Sequence, residues 1–221
     1  MPIEKVFAGS LPSILRNDDG LYEGDLTGYF RILIKKARNL GNPYHNFRHL
    51  MHVVYLCYQA CLFYQGQFSR RNMRNLLVAA MFHDFDHRGR REPDSDQIER
   101  AVTAFREHVT EEDRGDTDAI IELIRLTEFP YQTPTEEIPL EAQILRDADL
   151  SQAMSIAWIQ QVIFGLAAEW EQTPVKLLEM QKSFIGNLRL ATEWAREMFP
   201  EKVIRAKIRE AEELLEIIND S

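Results

Sequence analysis

The sequence predicts an all-α fold arranged as a single domain over residues 1–221. Three observations predict it. Apolar residues recur at helical spacing along most of the chain. No segment shows clear strand alternation, an internal repeat or low complexity. Hydrophobic residues at 45% against charged residues at 28% are globular proportions, sufficient for a real core.

The elements follow in order. Leu26, Tyr29, Phe30, Leu33, Ile34 and Ala37 place a helix over Asp25–Leu40, stopped by Gly41-Asn42-Pro43. Asn46 is suited to cap the next helix, which runs through Leu50, Val53, Leu56 and Ala60 to Gly66. Ser69 caps a third, Arg70–Phe82, which delivers His83 and Asp84 at its end. Residues 88–94 read as a loop, and helical patterns resume over Asp96–His108 and Thr117–Thr127. Three prolines mark Pro130–Pro139 as a surface loop. Glu141–Asp149 is a short helix, and Ser151–Glu171 reads as one long apolar helix. Pro174 suits the first turn of another, continuing to about Ala195. Pro200 opens a charged amphipathic helix over about 201–218, expected to be solvated. The total is eight to ten helices.

Charge and composition narrow the function. A net charge of −9 argues against a nucleic-acid partner, because phosphate backbones need basic surfaces. A small anionic substrate remains compatible, since bound metals supply local positive charge. No apolar run approaches the roughly 20 residues that span a bilayer. Met1-Pro2-Ile3-Glu4-Lys5 lacks a secretory leader pattern, so a cytoplasmic protein without membrane partners is expected. Cys57 and Cys61, four apart on one helical face, read as buried reduced thiols. Nothing in the sequence defines an oligomeric state.

The chemistry concentrates in two clusters, Tyr44-His45-Asn46-Phe47-Arg48-His49 and His83-Asp84-Phe85-Asp86-His87. Imidazole and carboxylate are ligands shared by borderline and hard divalent metals. Adjacent helical residues diverge by about 100°, so His83 and Asp84 reach one ion only if it lies between them. Asp149 adds a distant carboxylate, and together these residues make a binuclear site. Such a site forms hydroxide near neutral pH and polarises a phosphoryl oxygen.

These residues resemble the HD-domain phosphohydrolase superfamily, and in more detail the class I cyclic nucleotide phosphodiesterases. Asn42-Pro43-Tyr44-His45-Asn46-x-x-His49 resembles that family's first histidine motif. His83-Asp84-Phe85-Asp86-His87-x-Gly89 resembles its second metal motif, and Ala148-Asp149-Leu150-Ser151 its Ala-Asp-Leu-Ser motif. Gln181-Lys182-Ser183-Phe184-Ile185 resembles its nucleotide pocket. The four occur in family order over a motif core of residues 42–185.

The resemblance implies a multi-helix phosphodiesterase-like domain with the following roles. His49, His83, Asp84 and Asp149 would hold a tight zinc ion, and Asp84 would also touch a second ion, Mg²⁺ or Mn²⁺. His45 would be the general acid and His87 would lie beside the bridging water. Glu99 would orient water on the second metal. Gln181 would bond the purine edge, Phe184 would stack on its face, and Tyr44 would line the substrate site. Thr127-Glu128 sits where the family has Thr-Asp. His52, Arg88, Ala101-Val102 and Gln152 depart from the family pattern, while His108 reads as a surface residue.

The implied activity is metal-dependent hydrolysis of a 3′,5′-cyclic purine nucleotide, cAMP or cGMP, to the 5′-monophosphate. Two alternatives stand beside it. One is an HD-domain hydrolase of another phosphate ester, such as a nucleoside monophosphate or a cyclic dinucleotide. The other is a cyclic-nucleotide binding protein without turnover.

Overall fold

Ser69 Oγ accepts the Asn72 N–H at 3.0 Å and starts the helix around which the others pack. The computed structural model describes residues 10–220, so the N-terminal Met1–Lys5 reading lies outside the described residues. The helices are α1 (Leu11–Arg16), α2 (Thr27–Lys36), α3 (Phe47–Phe63), α4 (Arg70–Phe82), α5 (Asp94–His108) and α6 (Thr117–Arg125). They continue with α7 (Leu140–Leu150), α8 (Ala167–Glu169, entered from a π-helical segment Ile159–Leu166), α9 (Pro174–Asn187), α10 (Glu193–Met198) and α11 (Glu201–Asn219). Among the described residues there is no strand, and one isolated bridge joins Gln65 and Phe68. No single described helix is long and apolar enough to cross a membrane.

Every residue of α4 from Met73 to Phe82 is buried, and α3, α5, α6 and α7 all pack against it. A helix buried all round must satisfy its polar side chains internally. Arg74 does so. Its Nε and Nη2 meet the two oxygens of Asp113 at 2.7 and 2.8 Å, and its Nη1 donates to the carbonyls of Glu23 and Asp25. Cys57 and Cys61 are buried free thiols in the same core.

Several expectations change. Ser151–Glu171 is not one helix. The Ser151 hydroxyl donates to the Ala148 carbonyl at 2.7 Å, a short 3₁₀ turn follows, and Ser155 turns extended. The chain bends by 95° between Leu140–Met154 and Ile159–Glu169. The helix from Pro174 ends at Asn187 because buried Asp147 captures the N–H groups of Ala191 and Thr192, and Thr192 then caps α10. These breaks raise the count to eleven labelled helices, above the eight to ten expected. Finally, α11 is amphipathic with a solvated polar face, as expected, but its apolar side is not left to solvent. Its apolar stripe packs on α9, Ala211 is buried among Trp158, Leu177 and Leu178, and Trp158 Nε1 donates to Glu210 at 3.1 Å. His108, expected on the surface, is half-buried with its ring 6.1 Å from that of Phe85.

The Arg74–Asp113 pair is the polar anchor of the core. Burial pushes the Asp113 carboxyl up, but the Arg74 hydrogen bonds and charge outweigh it and hold it below the usual range. Asp113→Ala would leave Arg74 buried without its main counter-charge, an expected loss of about 3–5 kcal/mol. A depressed carboxylate stabilises above its unfolded pKa of about 3.9 and loses that contribution as pH falls through the folded value. The parent's unfolding midpoint in denaturant should therefore drop on acidification below about pH 4, and the variant's should drop less. A loss under about 1 kcal/mol at neutral pH would show that the pair is a surface-grade contact.

Candidate active site

Three helix ends converge. His49 lies in the first turn of α3, where the Asn46 side chain accepts the N–H groups of Arg48 and His49 at 2.9 and 3.1 Å. His83 caps the C-terminus of α4, with Asp84 next in sequence, and Asp149 is the penultimate residue of α7. His49 Nε2 stands 3.1 Å from Asp84 Oδ2 and 3.1 Å from Asp149 Oδ1. His83 Nε2 stands 3.2 Å from Asp84, 3.8 Å from Asp149 and 3.4 Å from His49 Nε2. His83 Nδ1 faces the Ala80 carbonyl at 2.8 Å. A carbonyl only accepts, so Nδ1 carries a proton and Nε2 points inward as the coordinating nitrogen.

Electrostatics describe the same cluster. Burial pushes the His49 ring down, but its hydrogen bonds to the Asp149 and Asp84 carboxylates outweigh it and raise it to about 10. Burial raises the Asp84 carboxyl, yet the charges of His83 and His45 hold it well below the usual range. His49, His83 and Asp149 offer ligand atoms within 4.8 Å of one another, and Asp84 stands 3.1 Å from His49 and 3.2 Å from His83, together a donor set suited to a divalent cation.

Asn39 clamps the two histidine motifs together. It is 1% exposed; its Nδ2 donates to the carbonyls of His45 (3.0 Å) and Asp84 (2.9 Å), and its Oδ1 accepts the Asp86 N–H. This explains why α2 stops at Lys36 rather than Leu40. The chain leaves the helix so that Arg38 N–H meets Asp86 Oδ1 at 2.8 Å and Asn39 can turn inward.

A second cluster adjoins the first. His45 Nδ1 lies 2.5 Å from Glu169 Oε2, while Glu169 Oε1 accepts the N–H groups of Tyr44 and His45 at 2.9 and 3.0 Å. The Glu169 side chain is wholly buried. The rings of His45 and His87 stack with centroids 3.6 Å apart. His87 Nδ1 accepts the Gly89 N–H at 3.0 Å, which Gly89 presents from a left-handed conformation (φ +62). Burial, then the His45 charge, lowers the His87 ring to about 4.

Both clusters open into a cavity of about 580 Å³. Tyr44, His45, His83, Asp84, His87 and Asp149 form its floor, and Leu166, Trp170, Met180, Gln181 and Phe184 form one wall. Gln181 is buried, and its Oε1 has no hydrogen-bond partner among the described residues. The loop carrying Phe129 and Tyr131 closes another side. Asp94 accepts the Phe129 N–H at 2.7 Å, and the Arg146 guanidinium covers the Tyr131 ring at 3.9 Å.

The structure thus gathers His45, His49, His83, Asp84, His87, Asp149, Gln181, Phe184 and Tyr44 about one cavity. It does not bring Glu99 there. Glu99 is 60% exposed and pairs with Arg125 at 3.1 Å on the solvent flank of α5, because Ile98, Ala101, Val102 and Phe105 take the buried face. Asp94 is the half-buried acid lining the cavity instead. His52 does not line the cavity, and its Nε2 is buried without a hydrogen-bond partner among the described residues. Sequence reasoning missed Asn39, Asp94 and Glu169. Glu169 did carry a signal: it is the lone charged residue in the stretch 151–170.

Fold and site define an all-α domain that carries a donor set of metal-ligand type at one cavity. A family model described as 3′5′-cyclic nucleotide phosphodiesterase matches residues 44–93. That segment, 50 of the 221 residues, contains His45, His49, His83, Asp84 and His87, and over it the chain is similar to that family. Asp149, Glu169, Gln181 and Phe184 lie beyond it.

Gly165 sets the approach of Glu169 to His45. A Cβ there would sit 2.7 Å from the Pro43 carbonyl oxygen, one turn before Glu169. Gly165→Ala should cost about 1–3 kcal/mol through overpacking and lower turnover by pushing Glu169 off His45. Gly186→Ala, where an added Cβ meets nothing within 4 Å, is the control. Unfolding midpoints and rates measured side by side check this; equal behaviour of the two variants would remove the positioning role.

Proposed function

We propose that this single domain hydrolyses a 3′,5′-cyclic purine nucleotide to the nucleoside 5′-monophosphate. The observation that carries the reading is His45, oriented by buried Glu169, standing beside the convergent donors His49, His83 and Asp149 with Asp84 3.1 Å from His49. His49, His83, Asp84 and Asp149 would hold zinc, and Asp84 would also reach a second ion, magnesium or manganese. Bound ions of this kind neutralise phosphoryl charge and lower the pKa of water.

The chain's own residues do the rest. Glu169 occupies His45 Nδ1, which leaves Nε2 as the nitrogen that can hand a proton to the departing O3′. The stacked His87 ring restricts His45 to that orientation. The unpaired Gln181 Oε1 can accept a hydrogen bond from a purine edge, and Phe184, three residues on, can cover the base plane. Asp94, which lines the same cavity, would take the place expected of Glu99 toward the second ion. A non-hydrolysing binder would have no use for a carboxylate-oriented histidine at the floor of its cavity. Two buried free thiols suit a reducing, cytoplasmic setting.

The direct test is a panel of cyclic nucleotides with protein supplemented with zinc and manganese, read by product identity. The 5′-monophosphate is the expected product; release of a 3′-monophosphate, or no turnover of any member, would overturn the reading.

His45→Ala should lower turnover of a cyclic nucleotide by about 10²–10⁴. The loss should be smaller for bis-p-nitrophenyl phosphate, whose leaving group needs no proton. Equal losses on both would assign His45 to positioning or ligation.

Phe184→Ala should raise KM for cyclic nucleotides by about tenfold, since stacking on a base is worth about 1–3 kcal/mol in nucleic-acid sites. Gln181→Ala should weaken cyclic nucleotides while sparing bis-p-nitrophenyl phosphate. Steady-state kinetics on both substrates check the pocket; unchanged KM values in both variants would move the base elsewhere.

A further inference from the structure

The cavity has a second wall that the cyclic-nucleotide reading leaves idle. Residues 88–94 run Arg-Gly-Arg-Arg-Glu-Pro-Asp, and Arg90, Arg91, Glu92 and Asp94 line the same cavity as Gln181 and Phe184. Glu92 is crowded by cations. Arg100 hydrogen-bonds it, and Arg90 and Arg88 stand 3.6 and 3.7 Å away. Arg91 makes no ion pair or hydrogen bond with any described residue, although it lines the cavity. The other acid on this side, Asp94, is engaged by the Phe129 N–H. Asp84 and Asp149 belong to the donor set at the floor. The two lining arginines balance the two lining acids, and Arg88 and Arg100, which pair with Glu92 without lining the cavity, leave this segment with an excess of two positive charges in a chain whose net charge is −9.

A 3′,5′-cyclic mononucleotide has one phosphate, and hydrolysis requires that phosphate at the donor set. Arg91 would then have no anionic partner in the cavity. We propose that the physiological substrate carries a second phosphate, gripped by Arg91 with help from Arg90, while the first is cleaved at the donor set. The substrate class is a dinucleotide or a nucleotide bearing a further phosphate ester. Guanidinium forks match phosphate oxygens in pairs, which a lone ammonium does not. This inference rests on the phosphodiesterase reading for the cleaved bond. Water's oxygen forms the new P–O bond, the P–O3′ bond breaks, and the His45 proton ends on O3′.

The experiment measures binding of matched probes to the full chain carrying His45→Ala, which slows turnover, in the presence of magnesium. The linear dinucleotides ApA and pApA differ only in a terminal phosphate. The parent background should bind pApA about tenfold tighter than ApA, and the preference should shrink as salt is raised. Arg91→Ala, and more so the Arg90→Ala/Arg91→Ala pair, should bring the ratio close to one, while Arg91→Lys should keep part of it. A second arm compares cyclic di-AMP with cyclic AMP. A preference confined to that arm, and removed by the same substitutions, identifies the second phosphate as an internal diester; one confined to pApA identifies a terminal ester. A ratio near one in both arms, or a preference that survives the double substitution, overturns the proposal. Hydrolysis of bis-p-nitrophenyl phosphate by the unsubstituted protein tests the phosphodiesterase reading separately, because that probe has neither a base nor a second phosphate.

Discussion

Two carboxylates held against two buried imidazoles are the constraint on which the rest of the structure depends. Asp84 and Asp149 each stand 3.1 Å from His49, and the His49 and His83 nitrogens stand 3.4 Å from each other. Like groups this close in a low-dielectric interior are costly unless a cation joins them. Holding them there demands fixed helix ends. The Asn46 cap fixes the start of α3, the Ser69 cap and buried length of α4 deliver His83 and Asp84, and the Ser151 hydroxyl closes the end of α7 just past Asp149. Asn39 then ties the backbone carbonyls of His45 and Asp84 to one side chain. The packed core acts as a frame that prevents the donor groups from relaxing apart.

The second layer of helices serves the same centre from the other side. The π-helical segment and α8 lie against the Pro43–Tyr44 backbone at Gly165, and this close approach carries Glu169 to His45 across 124 residues of sequence. The α9 and α11 helices back that layer through Trp158, Leu177, Leu178 and Ala211. The His45–Glu169 pair therefore depends on a close backbone approach that involves neither side chain.

The sequence made some of this legible and hid the rest for physical reasons. His49, His83, Asp84 and Asp149 stand out because their residue types at short spacing, on otherwise apolar helices, have few structural uses. Caps at Asn46 and Ser69 are local interactions, so they are readable locally. Glu169 and Asn39 are different: each acts on groups that only the fold brings near. Glu99 shows the converse error. A motif resemblance placed it at the centre, while the buried stripe of Ile98, Ala101, Val102 and Phe105 already turned it toward solvent. The broken helix at Ser151–Ser155 was hidden because apolar composition does not register a hydroxyl bonding back to a carbonyl. Asp147 and Asp149, two apart on α7, face opposite ways, one capturing backbone N–H groups at residues 191–192 and one joining the donor set.

The most direct test of the central claim is the metal content of the purified full chain after equilibration with zinc and removal of free ions, compared between the parent and Asp84→Ala/Asp149→Ala. The account predicts about one or more tightly held ions per chain in the parent and a large loss in the double variant. Equal metal content in both, or none in the parent, would contradict it.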